Sequence, residues 1–113
     1  MDVRDDKRPW GTERCLTSNE VSTVKILYVN AGEALSLQLH HHRDEFWKIL
    51  SGEPEVTLGE KTWAAKTGDE ISVPRETKHR ISAPIGDVTI LEISTGDFDE
   101  GDEVRLEDEY NRS

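Results

Sequence analysis

The sequence is short of cysteine, short of basic charge relative to acid, and has no long apolar run. Cys15 is the single cysteine of 113 residues, so no intrachain disulfide can form and the composition carries no mark of an oxidising compartment. No stretch approaches the roughly 18 apolar residues of a spanning helix. The first ten residues, MDVRDDKRPW, are charged rather than apolar, so no export signal is read and a cytoplasmic setting is expected. Lys and Arg number 14 against 24 Asp and Glu, a formal net charge of -10. That excess repels a phosphate backbone and an anionic bilayer alike, which argues against nucleic acid and membrane surfaces as partners. Hydrophobic residues make up 34% of the chain, enough for one economical core at this length, and no repeat, low-complexity tract or convincing amphipathic helix is found.

What is present is β structure in short pieces. The run VSTVKILYV (Val21 to Val29) is followed by the turn signal Asn30-Ala31-Gly32 and then by ALSLQLH. Further β-rich runs, EFWKILSG, EPEVTLG, KTWAAKTG, DEISVP, HRISAP and DVTILEIS, are each bounded by Gly, Pro or Asp. The expected fold class is therefore all-β, one domain: an N-terminal arm over 1–20 whose Trp10 docks on the body, a barrel core over 21–95, and an acidic segment over 96–113. Taken alone the last segment reads as a solvated tail. The competing reading packs part of it back on the barrel through Val104, Leu106 and Tyr110.

All four histidines fall in two places, His40-His41-His42 and His79. Around them stand Gly32, Gln38, His40, Glu45 and Gly52, and later Gly68, Pro74, Glu76, His79 and Ala83. This spacing resembles the two motifs of the cupin superfamily, with Gln38, Glu76 and Ala83 departing in identity. The resemblance implies a double-stranded β-helix, the cupin jelly roll, holding one divalent metal through Gln38, His40, Glu45 and His79. Zinc is the first expectation for such an N/O set, with manganese, cobalt, iron or nickel as alternatives. A second register using His40 and His42 leaves only two residues before Glu45 and is less favoured. The competing reading is a set of hydrogen-bonded histidines with no metal.

Strand periodicity supports a polar pocket independently. Side chains two apart share a face, so Ala34, Ser36, Gln38 and His40 point one way and Leu35, Leu37 and Leu39 the other. A Ser-Gln-His row facing a core costs burial energy unless hydrogen bonds or an ion satisfy it.

The segment LSLQLHHHRDEFW (Leu35 to Trp47) is similar to a narrower signature, that of type II mannose-6-phosphate isomerases, in which Gln replaces the first His. Arg8-Pro9-Trp10-Gly11, Lys25, His79-Arg80 and VRLEDEYNR (Val104 to Arg112) extend the likeness over nearly the whole chain. In many such proteins this cupin is the C-terminal part of a fusion with a mannose-1-phosphate guanylyltransferase. The resemblance implies a metal-dependent isomerase interconverting mannose 6-phosphate and fructose 6-phosphate, with a sugar phosphate as its small-molecule partner. Phe46, Lys48 and Glu76 depart from the family pattern.

Such a reaction needs a base and a cationic hold on phosphate. Arg43, read as lying in the loop between two ligand-bearing strands, is the first candidate at the mouth of the site; its alternative is a solvated loop Arg. Glu92, a carboxylate within VTILEIS, is the candidate base, and its alternative is a salt-bridged structural Glu. Ser36, Lys25, His42, Arg80 and Arg105 are candidate substrate contacts, although alternation points Arg80 away from an inward His79.

Two further expectations concern assembly and class. A stripe of Leu35, Leu37 and Leu39 opposite the pocket would be covered by a homodimer, through strand exchange over 11–20, or by another layer or the tail. Against the isomerase stands a non-catalytic cupin that binds metal and a small acid or sugar phosphate as a sensor or accessory module. Metal-dependent oxidation fits less well, because Gln38 departs from the usual ligand set of cupin dioxygenases.

Overall fold

The computed structural model describes residues 3–97, 99 and 101–107. Tyr110 and the end of the closing motif, 108–113, lie outside the described residues. Among the described residues every regular element is a strand: β1 (Arg4–Arg8), β2 (Gly11–Cys15), β3 (Ser22–Val29), β4 (Leu37–Leu39), β5 (Arg43–Ser51), β6 (Glu55–Leu58), β7 (Lys61–Ala64), β8 (Glu70–Val73), β9 (His79–Ser82), β10 (Val88–Gly96) and β11 (Val104–Glu107). Strands β3-β10-β5-β8 form one sheet and β11-β4-β9-β6-β7 the other, with β1-β2 a separate ribbon.

The core between the sheets follows from period-two alternation. On β5, Glu45, Trp47 and Ile49 are buried on the inner side, and on β10 Val88 and Ile90 do the same. Val29, Val56, Ala65, Ile71, Val73, Ile81 and Ala83 complete the apolar cluster. Each fully buried Val or Ile contributes about 1.5–3 kcal/mol. Close approach of the backbone fixes glycine at Gly52 and at Gly96. Gly52 has φ +89°, and a Cβ there would sit 2.4 Å from the Asp87 carbonyl oxygen.

The ends of the chain differ from expectation. The arm is a hairpin, β1 against β2, and Trp10 at its turn is 72% exposed rather than docked. Its strands carry RDDKR and GTERC, which offer no apolar face, so alternation gives no warning of them. Arg14 ties the ribbon to the barrel through an ion pair with Glu70. At the other end β11 pairs with β4, while Val104 and Leu106 remain exposed. The segment is held instead by polar groups, above all by the buried Asp102.

The leucine stripe is not an open face. Leu35, Leu37 and Leu39 are half-buried, and Leu35 packs against the core cluster. The exposed apolar row is on the edge strand β3, at Val24, Ile26 and Tyr28.

Candidate metal centre and its cavity

Three strands converge to make the site. Gln38 on β4 is the register partner of His79 on β9, so their side chains leave the sheet on the same side. His40 follows the end of β4, and Glu45 projects from β5 in the facing sheet. His40 Nε2 lies 3.2 Å from Glu45 Oε2, and His79 Nε2 lies 3.8 Å from Glu45 Oε1. One donor atom from each of the three residues falls within 4.8 Å of the others, and all three side chains are buried.

The tautomers are set by the main chain. His40 Nδ1 is 2.7 Å from the Asp102 carbonyl oxygen, and His79 Nδ1 is 2.9 Å from that of Thr77. A carbonyl only accepts, so each Nδ1 carries hydrogen and each neutral ring presents the Nε2 lone pair to the common centre. Trp47 fixes the carboxylate, its Nε1–H donating to Glu45 Oε1 at 3.0 Å, and its ring meets His79 edge-on with centroids 5.5 Å apart.

Charge state follows from burial and these contacts. Burial lowers the pKa of His79 and keeps it neutral. For His40 burial acts in the same direction, but the bonds to Glu45 and to the Asp102 carbonyl outweigh it and the pKa rises. Burial also works against ionised Glu45; the bond that a protonated His40 ring makes to it, the charge of either histidine when protonated, and the Trp47 bond prevail and bring it to about 2.

Two buried polar atoms have no hydrogen-bond partner among the described residues and bear on a cation directly: Gln38 Oε1 and His79 Nε2. Leaving such atoms unsatisfied costs about 1–3 kcal/mol each. Two imidazole nitrogens, a carboxylate and an amide oxygen are a borderline N/O donor set, and metal–ligand bonds of roughly 2.1 Å need donors roughly 3.4 Å apart. The residues present therefore fit a divalent ion. When bound, such an ion supplies a Lewis acid for a hydroxyl or carbonyl oxygen.

The cavity against these donors has a volume of about 130 Å³ and is lined by Lys25, Leu27, Leu35, Gln38, His40, Arg43, Glu45, Glu92 and Glu103. Lys25 and Glu92, both expected near the site from sequence, face each other across the β3–β10 pair. Burial and then the Glu45 charge push Glu92 up to about 7, against the opposing pull of Lys25 and Arg43.

Other candidates fall elsewhere. Arg43 is not a loop residue: it opens β5, is 6% exposed, and points inward. Ser36 is buried but does not line the cavity; Leu35 does. A one-residue register shift separates the Ala34↔Ser82 bridge from the Gln38↔His79 pair, and across it Leu35 and Gln38 both reach the cavity while Ala34, Ser36 and His40 stay buried. His42 is exposed beside His41 and contributes its backbone N–H to Asp102 rather than its ring to the cavity. Arg80 points away, donating to the carbonyl oxygens of Leu35 at 3.1 Å and Glu107 at 3.3 Å. Arg105 pairs with Glu103 at 2.6 Å, and Glu103 is the member of that pair that lines the cavity.

Sequence reasoning missed Trp47, Asp102 and Glu103. Trp47 carried a signal, since it lies two residues after Glu45 on the same strand face. Asp102 and Glu103 carried none, being two among the many acidic residues of their segment.

With this geometry in hand, the family can be assigned. The profile of the family described as mannose-6-phosphate isomerase C-terminal matches residues 2–108. The chain belongs to this family. Mannose-1-phosphate guanylyltransferase 2 of Escherichia coli O157:H7 is 38% identical over 109 residues, covering 95% of this chain and 23% of that protein. The alginate biosynthesis protein AlgA of Pseudomonas aeruginosa is 37% identical over 109 residues, covering 94% and 22%. The chain thus spans less than a quarter of these curated relatives. A Klebsiella pneumoniae protein with a double-stranded β-helix domain superposes with a TM-score of 0.67 at 19% identity, covering 82% of this chain and 80% of that one, which shows the cupin fold alone.

These findings correct the activity expected from the signature. Family members of this similarity carry the names of mannose-1-phosphate guanylyltransferases and polysaccharide biosynthesis proteins, so the mannose-6-phosphate isomerase assignment does not stand. The relatives are enzymes of carbohydrate metabolism, and no described helix of this chain is long and apolar enough to cross a membrane.

Proposed function

We propose that the chain is a metal-holding cupin that binds the hydroxyl-bearing end of a mannose phosphate, as a ligand-binding accessory domain to mannose 1-phosphate guanylyl transfer. The observation that carries this reading is the convergence of His40, Glu45 and His79 donor atoms within 4.8 Å, beside the unpartnered Gln38 Oε1. Zinc suits this donor set first, with manganese, cobalt, iron and nickel as the other candidates.

The cavity limits what is enclosed. Pockets that swallow a whole drug-sized ligand run to about 300–1,000 Å³, and about 130 Å³ takes a fragment. A pair of sugar hydroxyls on the ion fits that space, with the rest of the ligand outside. With a divalent ion in place, its charge together with Lys25 and Arg43 outweighs Glu45, Glu92 and Glu103 in the lining, which favours an anionic ligand. The guanylyltransferase association rests on the names of the relatives and on the fraction of their length that this chain covers.

The test is metal analysis of purified protein followed by calorimetric titration of mannose 1-phosphate into metal-loaded and chelator-stripped samples. The expected result is one ion per chain and sugar-phosphate binding that disappears on stripping. Binding of equal strength without metal would sink the reading.

A further inference from the structure

Arg43 occupies an unusual place for a buried guanidinium. Its Nε donates to Glu45 Oε2 at 3.2 Å and its terminal NH2 nitrogen meets His40 Nε2 at 3.1 Å. Its other terminal nitrogen donates to the Asp99 carbonyl oxygen at 3.4 Å. Two of its three nitrogens therefore rest on two of the atoms that make the metal cradle. A neutral imidazole has one lone pair on Nε2, and that lone pair cannot serve a guanidinium N–H and a metal ion together. The two cations also repel in a site from which water is largely excluded.

We propose that the Arg43 guanidinium is a built-in occupant of the cradle, displaced from His40 and Glu45 by an incoming divalent cation and thereby turned toward the anionic oxygen of a ligand on that cation. The inference rests on the metal reading given above. The side chain holds the buried Glu45 carboxylate in the absence of an ion, when an unpaired charge there would be costly. Once the ion takes over that duty, the cavity holds Lys25, Arg43 and a divalent charge against Glu45, Glu92 and Glu103, an excess of positive charge that an anion relieves. Metal and anion then strengthen each other's binding, a reciprocal coupling.

The measurement is the Kd of cobalt by calorimetry and by its visible spectrum, in wild type, Arg43→Gln and Arg43→Lys, with and without mannose 1-phosphate. In the absence of sugar phosphate, Arg43→Gln is expected to bind cobalt about tenfold or more tightly than wild type, through loss of a competing like charge. In wild type, mannose 1-phosphate is expected to tighten cobalt binding several-fold, and in Arg43→Gln this coupling falls toward unity. Arg43→Lys keeps the charge but not the fork that reaches both atoms, so its cobalt affinity is expected between the other two. It serves as the readout if Arg43→Gln does not fold by circular dichroism. Cobalt affinity equal to or weaker than wild type in a folded Arg43→Gln, or in Arg43→Lys where only that folds, overturns the inference while leaving the metal reading intact. Wild-type protein that takes up no cobalt overturns both.

Discussion

His40 donates its Nδ1 hydrogen to the carbonyl oxygen of Asp102 over 2.7 Å, across 62 residues of chain. The same Asp102 accepts the backbone N–H groups of His41 and His42 on its carboxylate, each at 2.9 Å. One residue of the acidic C-terminal segment thus fixes the ring of a metal-site histidine and the turn that follows it.

The Asp102 clamp makes stability depend on acid. The N–H of His41, against the cost of burial and with help from His42, holds the Asp102 carboxyl below its ordinary value of 3.8. A depressed folded pKa stabilises fully above the unfolded value and is lost as pH falls through the folded one. Asp102→Asn is therefore expected to melt lower than wild type at pH 7, and the gap is expected to close below about pH 3.8. Melting curves of both proteins across pH 2.5–8 check this, and a constant gap would count against the clamp.

Metal content separates ligands from neighbours. Glu45→Ala and His79→Ala remove groups whose donor atoms face the common centre, and both are expected to lose stoichiometric metal. His41, exposed and 3.9 Å from Glu76, lies outside the cradle, so His41→Ala is expected to retain it. Elemental analysis of the three purified variants decides the matter; equal metal in all three contradicts the assignment.

Glu92 predicts an opposite pH trend in the metal-free protein. Its folded value of about 7 stands above its ordinary 4.5, owing to burial and the Glu45 charge. The unfolded chain then ionises first, so Glu92 opposes folding increasingly as pH rises from 4.5 to 7. Glu92→Gln is expected to gain stability relative to wild type over that window, by at most about 3 kcal/mol, and to hold the gain at higher pH. Urea unfolding at pH 4.5 and pH 8 gives the comparison.

Glu76 sits at φ +64°, left-handed backbone, where the cupin pattern has glycine. Non-glycine residues pay about 1 kcal/mol or more for that conformation, partly offset by the extra freedom glycine has when unfolded. Glu76→Gly is expected to stabilise the domain by about 0.5–1 kcal/mol, seen as a raised melting temperature with metal content unchanged.

Much of this was legible in the sequence, and the losses have physical causes. Strand spacing and the motif register placed Gln38, His40, Glu45 and His79 on three strands that do converge. Alternation buried Ala34, Ser36 and His40 as expected, but a one-residue register shift before Gln38 brings Leu35 to the cavity and leaves Ser36 out of its lining. It failed for the first hairpin, whose strands carry charge on both faces. Asp102 was invisible for a different reason. Nothing local distinguishes a carboxylate that clamps a distant turn from its solvated neighbours. Arg43 was noticed but misplaced, since the length of β5 at its start is set by pairing with Gly96 on β10 and not by its own composition.

The two imidazoles owe their tautomers to peptide carbonyls, at Asp102 and Thr77, rather than to side chains. Substituting Thr77 changes a side chain and leaves the acceptor on the main chain, whereas at Asp102 the carboxylate also holds the turn after His40. The tautomer of His79 is thereby insulated from single-codon change at its supporting position, while that of His40 shares its fate with the clamp.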